Sequence, residues 1–100
     1  MKPQPKRTIW ADGYQAWFVN NQLHRTAGPA YIHADGTQEW WVNGQRHRTD
    51  GPAWIGSDGR QQWYMLGQNI TEEVRAWQQQ QGISWPWDTA VQTQFVMTFL

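Results

Sequence analysis

The stretch Ala30-Tyr31-Ile32-His33-Ala34-Asp35-Gly36-Thr37-Gln38-Glu39-Trp40-Trp41-Val42-Asn43-Gly44 sets the architecture. Ala34-Asp35-Gly36 fits a three-residue hairpin loop, a type I turn with glycine in the left-handed region. That loop pairs Ala30 with Trp40 and Ile32 with Gln38. Ala30, Ile32, Trp40 and Val42 then share one face, and Tyr31, His33, Glu39 and Trp41 the other. Alternation with period two marks strands with one buried side. Asn43-Gly44 is a strong two-residue hairpin signal. It pairs Trp41 with Arg46 and Trp40 with His47.

The unit recurs every 23 residues. His24-Arg25-Thr26 and Gly28-Pro29-Ala30 return as His47-Arg48-Thr49 and Gly51-Pro52-Ala53. Asp12-Gly13, Asp35-Gly36 and Asp58-Gly59 are in phase, as are Trp17, Trp40 and Trp63. Asn20-Asn21 and Leu66-Gly67 stand where Asn43-Gly44 does, so Phe18 should pair with Leu23 and Trp17 with His24. About seventy of the 100 residues are thus three copies of one hairpin unit. Such units stack into a quasi-one-dimensional sheet rather than enclosing a cleft. Copy one has Pro5-Lys6-Arg7 in place of Gly-Pro-Ala, which predicts an edge cap. Residues 1–6, with Pro3 and Pro5, read as a flexible arm.

Ile9, Ile32, Ile55, Trp17, Trp40, Trp63, Val19, Val42 and Met65 fall on one face, which should be core. Phe18, Tyr31, Trp41, Trp54 and Tyr64 fall on the other, an unusually aromatic stripe. Beyond the repeats, Thr71-Glu72-Glu73-Val74 opens a helix, with Thr71 as cap and Gly82 as stop. Ser84-Trp85-Pro86-Trp87 reads as a rigid turn, with Trp85 and Trp87 as a second anchor or a latch. Asp88 caps a second segment in which Val91, Phe95 and Phe99 lie four apart; its β-branched residues leave a strand open as the alternative. The expected fold is α+β, mostly β: an antiparallel meander of about three hairpin repeats, with residues 74–100 as a C-terminal helical segment covering the Ile/Trp face.

Composition narrows the function classes. Eight Lys+Arg balance eight Asp+Glu, which argues against nucleic acid as a partner. Cysteine is absent, so neither disulfides nor thiolate metal sites arise. No apolar run reaches the length of a membrane span. Lys2, Lys6 and Arg7 resemble a signal-peptide start, but Thr8 to Asn21 contains Asp12 and Gln15 and no apolar core. The expected location is the cytoplasm.

Trp40-Trp41-Val42-Asn43-Gly44-Gln45 after Asp35-Gly36 resembles the MORN repeat. Closer still is a MORN-like variant whose units are linked by His-Arg-Thr-Asp-Gly-Pro-Ala, here His47 to Ala53, with Ala27 in place of the Asp in copy one. The resemblance covers residues 7–73. It implies a phage or prophage protein acting in a bacterial host, and a role in binding partner proteins. Anionic lipid surfaces are the partners that classical MORN proteins add, and the scarcity of basic clusters weakens that reading here.

His24 and His47 recur in phase, and repetition favours a structural role: packing on Trp, with a ring nitrogen bonded to backbone. Asp12, Asp35 and Asp58 are explained as turn formers, and Glu72 and Glu73 as helix-start charges. No catalytic, cofactor or metal-ligating set is assigned, and no zinc spacing is present. Arg25 and Arg48 admit an internal role, such as an Arg48–Asp50 pair, or a partner contact. The candidate partner-binding set is Phe18, Tyr31, Trp41, Trp54, Tyr64, Arg25, Arg46 and Arg48. It suits a non-catalytic binder of a host or phage protein complex, an inhibitor of a bacterial defence system among them. The alternatives are a cell-wall glycan-binding repeat and a self-pairing virion component, a homodimer included.

Overall fold

A computed structural model describing residues 3–100 shows mostly antiparallel β structure followed by two helices. Copy one holds β1 (Lys6–Ile9), β2 (Gln15–Val19) and β3 (Gln22–Leu23). Copy two holds β4 (Tyr31–Ile32), β5 (Gln38–Glu39), β6 (Trp41–Val42) and β7 (Gln45–Arg46). Copy three holds β8 (Trp54–Ile55), β9 (Gln61–Gln62), β10 (Tyr64–Met65) and β11 (Gln68–Asn69). The main sheet runs β1-β2-β4-β5-β8-β9, with β3 beside β2. β6-β7 and β10-β11 form separate hairpins. The molecule is a slab 43 × 35 × 22 Å. Among the described residues, no helix is long and apolar enough to cross a membrane.

Both expected turns form in every copy. Asp12, Asp35 and Asp58 each accept a backbone N–H two residues on, from Tyr14, Thr37 and Arg60. Gly13, Gly36 and Gly59 take φ of 96°, 94° and 88° behind them. The second turns place Asn43-Gly44 at 52° and 78°, Asn20-Asn21 at 51° and 63°, and Leu66-Gly67 at 49° and 84°. Positive φ at both central residues gives the type I′ geometry that matches strand twist. Leu66 pays most for it, since a branched side chain disfavours that region. The pairs Ile32↔Gln38, Trp41↔Arg46 and Phe18↔Leu23 hold as the turn chemistry requires.

The histidines couple successive copies. His24 Nδ1 accepts the Asn43 N–H at 3.0 Å, and His47 Nδ1 accepts the Leu66 N–H at 2.9 Å. Burial holds the His47 imidazole below its ordinary pKa, which keeps it neutral and able to accept.

α1 spans Thr71–Gln81 and α2 spans Thr89–Phe99. Gly82 (φ 66°) and Ile83 close α1 by bonds to the Gln79 and Gln78 carbonyls, a Schellman stop. Asp88 caps α2 through the Val91 N–H at 2.9 Å, and Val91, Phe95 and Phe99 face inward, so this segment is helix, not strand. The core is Trp63, Met65, Val74, Trp87 and Phe95. Trp85 and Trp87 act as the latch: Trp87 packs 4.8 Å from Phe95, and the Trp85 indole donates to the Asp50 carbonyl at 2.9 Å.

Three expectations need correcting. The helices cover the Ile/Trp face only at copy three; Ile9 is 58% exposed at the far edge, because two short helices cannot span the slab. Thr71 is not the cap of α1, since Ile70 occupies that place with no side-chain bond. The Thr71 hydroxyl instead accepts the Trp63 N–H at 3.0 Å, where Trp17 and Trp40 donate to the Ala30 and Ala53 carbonyls. The expected arm is shorter than residues 1–6, because Lys6 already pairs with Phe18 in β1. Met1 and Lys2 of that arm, and Lys2 of the signal-like start, lie outside the described residues.

Thr71 thus closes the sheet edge that a further copy would pair. Thr71→Val should lower unfolding free energy in urea by about 1–3 kcal/mol, the cost of stranding a buried N–H. Thr98→Val, on the exposed side of α2, should change it by under about 0.5 kcal/mol.

Candidate functional site

Directly paired residues share a face, and the register assigns each candidate side chain. Ala16, Tyr31, Glu39, Trp54 and Gln62 form one row across the sheet. Phe18 lies on that face two residues from Ala16, and Trp41 pairs with Arg46 on it. Tyr64 joins them through Arg46, whose guanidinium lies 5.2 Å from both the Trp41 and Tyr64 rings. Phe18, Tyr31, Trp41, Trp54, Tyr64 and Arg46 therefore share a face, and all six are half-buried rather than fully outward.

Arg25 and Arg48 do not join them. Each lies 3.9 Å over an indole of the opposite face, Arg25 over Trp17 and Arg48 over Trp40. The eight candidate residues thus divide between two surfaces. The Arg48–Asp50 pair forms at 2.7 Å, and Arg48 also donates to the Pro52 carbonyl at 2.9 Å.

The centre of the aromatic face is Glu39, whose residue surface is 3% exposed. One carboxylate oxygen meets His33 Nε2 at 2.6 Å. The other accepts the Trp41 indole N–H at 3.0 Å and Arg46 Nε at 2.9 Å. Burial pushes the Glu39 carboxyl up, but the bonds from His33 and Arg46, the charge of Arg46 and the Trp41 indole outweigh it. The net position is below the ordinary 4.5, so Glu39 is ionised at neutral pH. Both oxygens are engaged, which makes the carboxylate a hub that orients rings rather than a free proton acceptor. The network continues from Arg46 to the Tyr64 hydroxyl at 3.4 Å and from there to Gln62 at 3.2 Å.

Beside the hub, Tyr31 and His33 rings lie 4.6 Å apart, with Tyr14 5.3 Å from His33 and 5.9 Å from Tyr31. Burial, then Tyr14, Glu39 and Asp12, raise the Tyr31 phenol, which keeps it a donor. Trp10, Asp12, Tyr14, Tyr31 and His33 line a groove of about 450 Å³. Among the described residues, no group of three or more His, Asp or Glu is placed to hold a metal ion.

Glu39, His33 and Tyr14 are absent from the sequence-derived set. A signal existed for Glu39: of the acidic residues before the helix, Asp12, Asp35, Asp50 and Asp58 sit in turns or linkers, and Glu39 alone sits in a strand. Tyr14 carried none, because its counterparts Thr37 and Arg60 share neither size nor charge. No family model, curated protein or solved structure matches the chain.

Glu39→Gln tests the hub. A depressed carboxyl pKa stabilises the fold above the unfolded value, and that stability is lost as pH falls through the folded value. The variant should be less stable than wild type at pH 7 by about 1–3 kcal/mol. The gap should narrow on acidification below 4.5, as followed by urea unfolding at several pH values.

Proposed function

We propose that this protein is a non-catalytic protein-binding module. One observation carries the reading: Trp41, Trp54, Tyr64 and Tyr31, with Arg46 between them, are held on a sheet face that the helices leave uncovered. Tyr, Trp and Arg are the side chains that anchor interfaces, because they combine large area with few rotors. Here the Glu39 network has already fixed the orientation of Trp41 and Arg46 and, through Arg46, of Tyr64, which lowers the entropic cost of docking. The resemblance of residues 7–73 to MORN-like repeats favours a phage or prophage protein that engages a host or phage complex in the bacterial cytoplasm. Inhibition of a defence assembly is the specific role we favour.

A glycan reading has one observation in its favour, the groove of Trp10, Asp12, Tyr14, Tyr31 and His33. Aromatic faces beside polar groups suit sugar stacking. Trp fluorescence that stays constant on titration with cell-wall fragments removes this alternative.

Tagged protein should retain one stoichiometric complex from bacterial lysate, identified by mass spectrometry. Trp41→Ala and Trp54→Ala should each lose it while keeping the wild-type circular dichroism. Retention by both variants would show that this face is not the interface.

A further inference from the structure

Arg25 and Arg48 hold the same place in successive copies, and they differ in their partners. Both lie 3.9 Å over a Trp ring, and both give Nη1 to a proline carbonyl, Pro29 at 3.1 Å and Pro52 at 2.9 Å. Arg48 additionally gives Nε to the Asp50 carboxylate at 2.7 Å. The residue in that position of copy one is Ala27. Among the described residues, Arg25 has no carboxylate within ion-pair distance. A second difference is aromatic. The Trp85 ring lies 5.3 Å from the Arg48 guanidinium, whereas among the described residues only Trp17 lies over Arg25.

Copy two is therefore a filled version of a site that copy one leaves open. The open site borders a cleft of about 430 Å³ lined by Arg25, Ala27, Gly28, Trp40 and Arg48 among others. We propose that Arg25 receives an acidic side chain of a partner polypeptide, with an aromatic ring beside it, as Asp50 and Trp85 serve Arg48. The proposal rests on the protein-binding reading but uses the opposite face of the sheet. Its physical basis is preorganisation. The guanidinium is already oriented by the indole beneath it and by the Pro29 carbonyl, so a further bond costs little rotor entropy. A charge-assisted bond to a carboxylate is stronger than a neutral one. The Glu39 hub lies on the other face, and Asp50, which also lines the cleft, is already paired with Arg48 at 2.7 Å.

The test uses the folded full chain and the side-chain Nε–H signals of arginine in nitrogen-edited NMR. The probe is the peptide N-acetyl-Trp-Asp-Gly-amide, with its Asn counterpart and acetate as controls. The Asp peptide should shift the Arg25 signal and leave that of Arg48. The Asn peptide should bind about tenfold more weakly, the worth of one charged hydrogen bond. Ala27→Asp should move the Arg25 signal toward that of Arg48 and weaken peptide binding about tenfold. Arg25→Gln removes the reporting signal, so its peptide binding is read by titration calorimetry; it should abolish the binding heat seen with wild type, which covers the case in which Ala27→Asp disturbs the fold.

Equal response to the Asp and Asn peptides, or undiminished binding by Arg25→Gln, overturns the proposal. An equal response to acetate and to peptide removes the polypeptide from it. Capture of the lysate partner that survives Arg25→Gln but not Trp54→Ala refutes the Arg25 site and leaves the aromatic face standing.

Discussion

Trp17, Trp40 and Trp63 stand on one face of a sheet that has no second layer along most of its length. Each indole must be covered, since an aromatic ring this size exposes on the order of 150–250 Å² of apolar surface. In copies one and two the cover is a guanidinium 3.9 Å over the ring. Such stacking contributes about 0.5–2 kcal/mol. The linker between copies follows from this need. His ties its ring nitrogen to the next copy's turn, and Arg covers the indole. Gly leaves room for what lies above: a Cβ at Gly28 would meet Arg25 Nη1 at 3.2 Å, and one at Gly51 the Trp85 indole nitrogen at 2.5 Å. Pro supplies the carbonyl that holds the guanidinium, and Ala, fully buried, takes the Trp N–H.

At copy three the same need is met differently. Thr71 occupies the place of Arg25 and Arg48, and Ile70 the place of His24 and His47. Ile70 keeps the bond to the Trp carbonyl that the histidines make. Thr71 turns the chain into α1, and the helices cover Trp63 down to 2% exposure. A packed apolar core replaces the guanidinium, because the array ends here and both an exposed ring and an unpaired edge must be closed at once. Among the described residues the opposite end has no such closure: β1 is exposed along its length and carries Lys6 and Arg7, charges that discourage edge pairing.

The hairpins, their register and the first helix were legible because turn chemistry, alternation and helix stop signals are local; the second helix was not separable from a strand, because Thr89, Val91, Thr93, Val96 and Thr98 are β-branched. Asp35-Gly36 and Asn43-Gly44 dictate loop geometry by themselves, and the pairing of Ile32 with Gln38 follows by counting. The division of the candidate residues between faces was less accessible. Arg25 and Arg48 follow the second hairpin, outside the strand alternation, and only the stacking on Trp17 and Trp40 shows which way they turn. The extent of helix cover was likewise hidden, since it depends on how far two helices reach across the slab. The role of Thr71 was masked by its fit to a helix cap, a strong local signal that the unpaired Trp63 N–H overrides.

What recurs in all three copies is scaffold, and the departures from recurrence mark the places where the copies are not interchangeable. The row of Ala16, Glu39 and Gln62 carries a carboxylate only in the middle. The row of Trp10, His33 and Gly56 supplies its imidazole, and that of Leu23, Arg46 and Asn69 its guanidinium, only in the same copy. An ion pair whose carboxylate is buried contributes little more stability than apolar residues of equal volume would. The neighbouring copies show that the hairpin forms without one. The hub is therefore better explained by what it orients than by what it stabilises: the Trp41 indole, the Arg46 fork and, through Arg46, the Tyr64 hydroxyl. A repeat that served only as a spacer would have no reason to hold these groups in one arrangement.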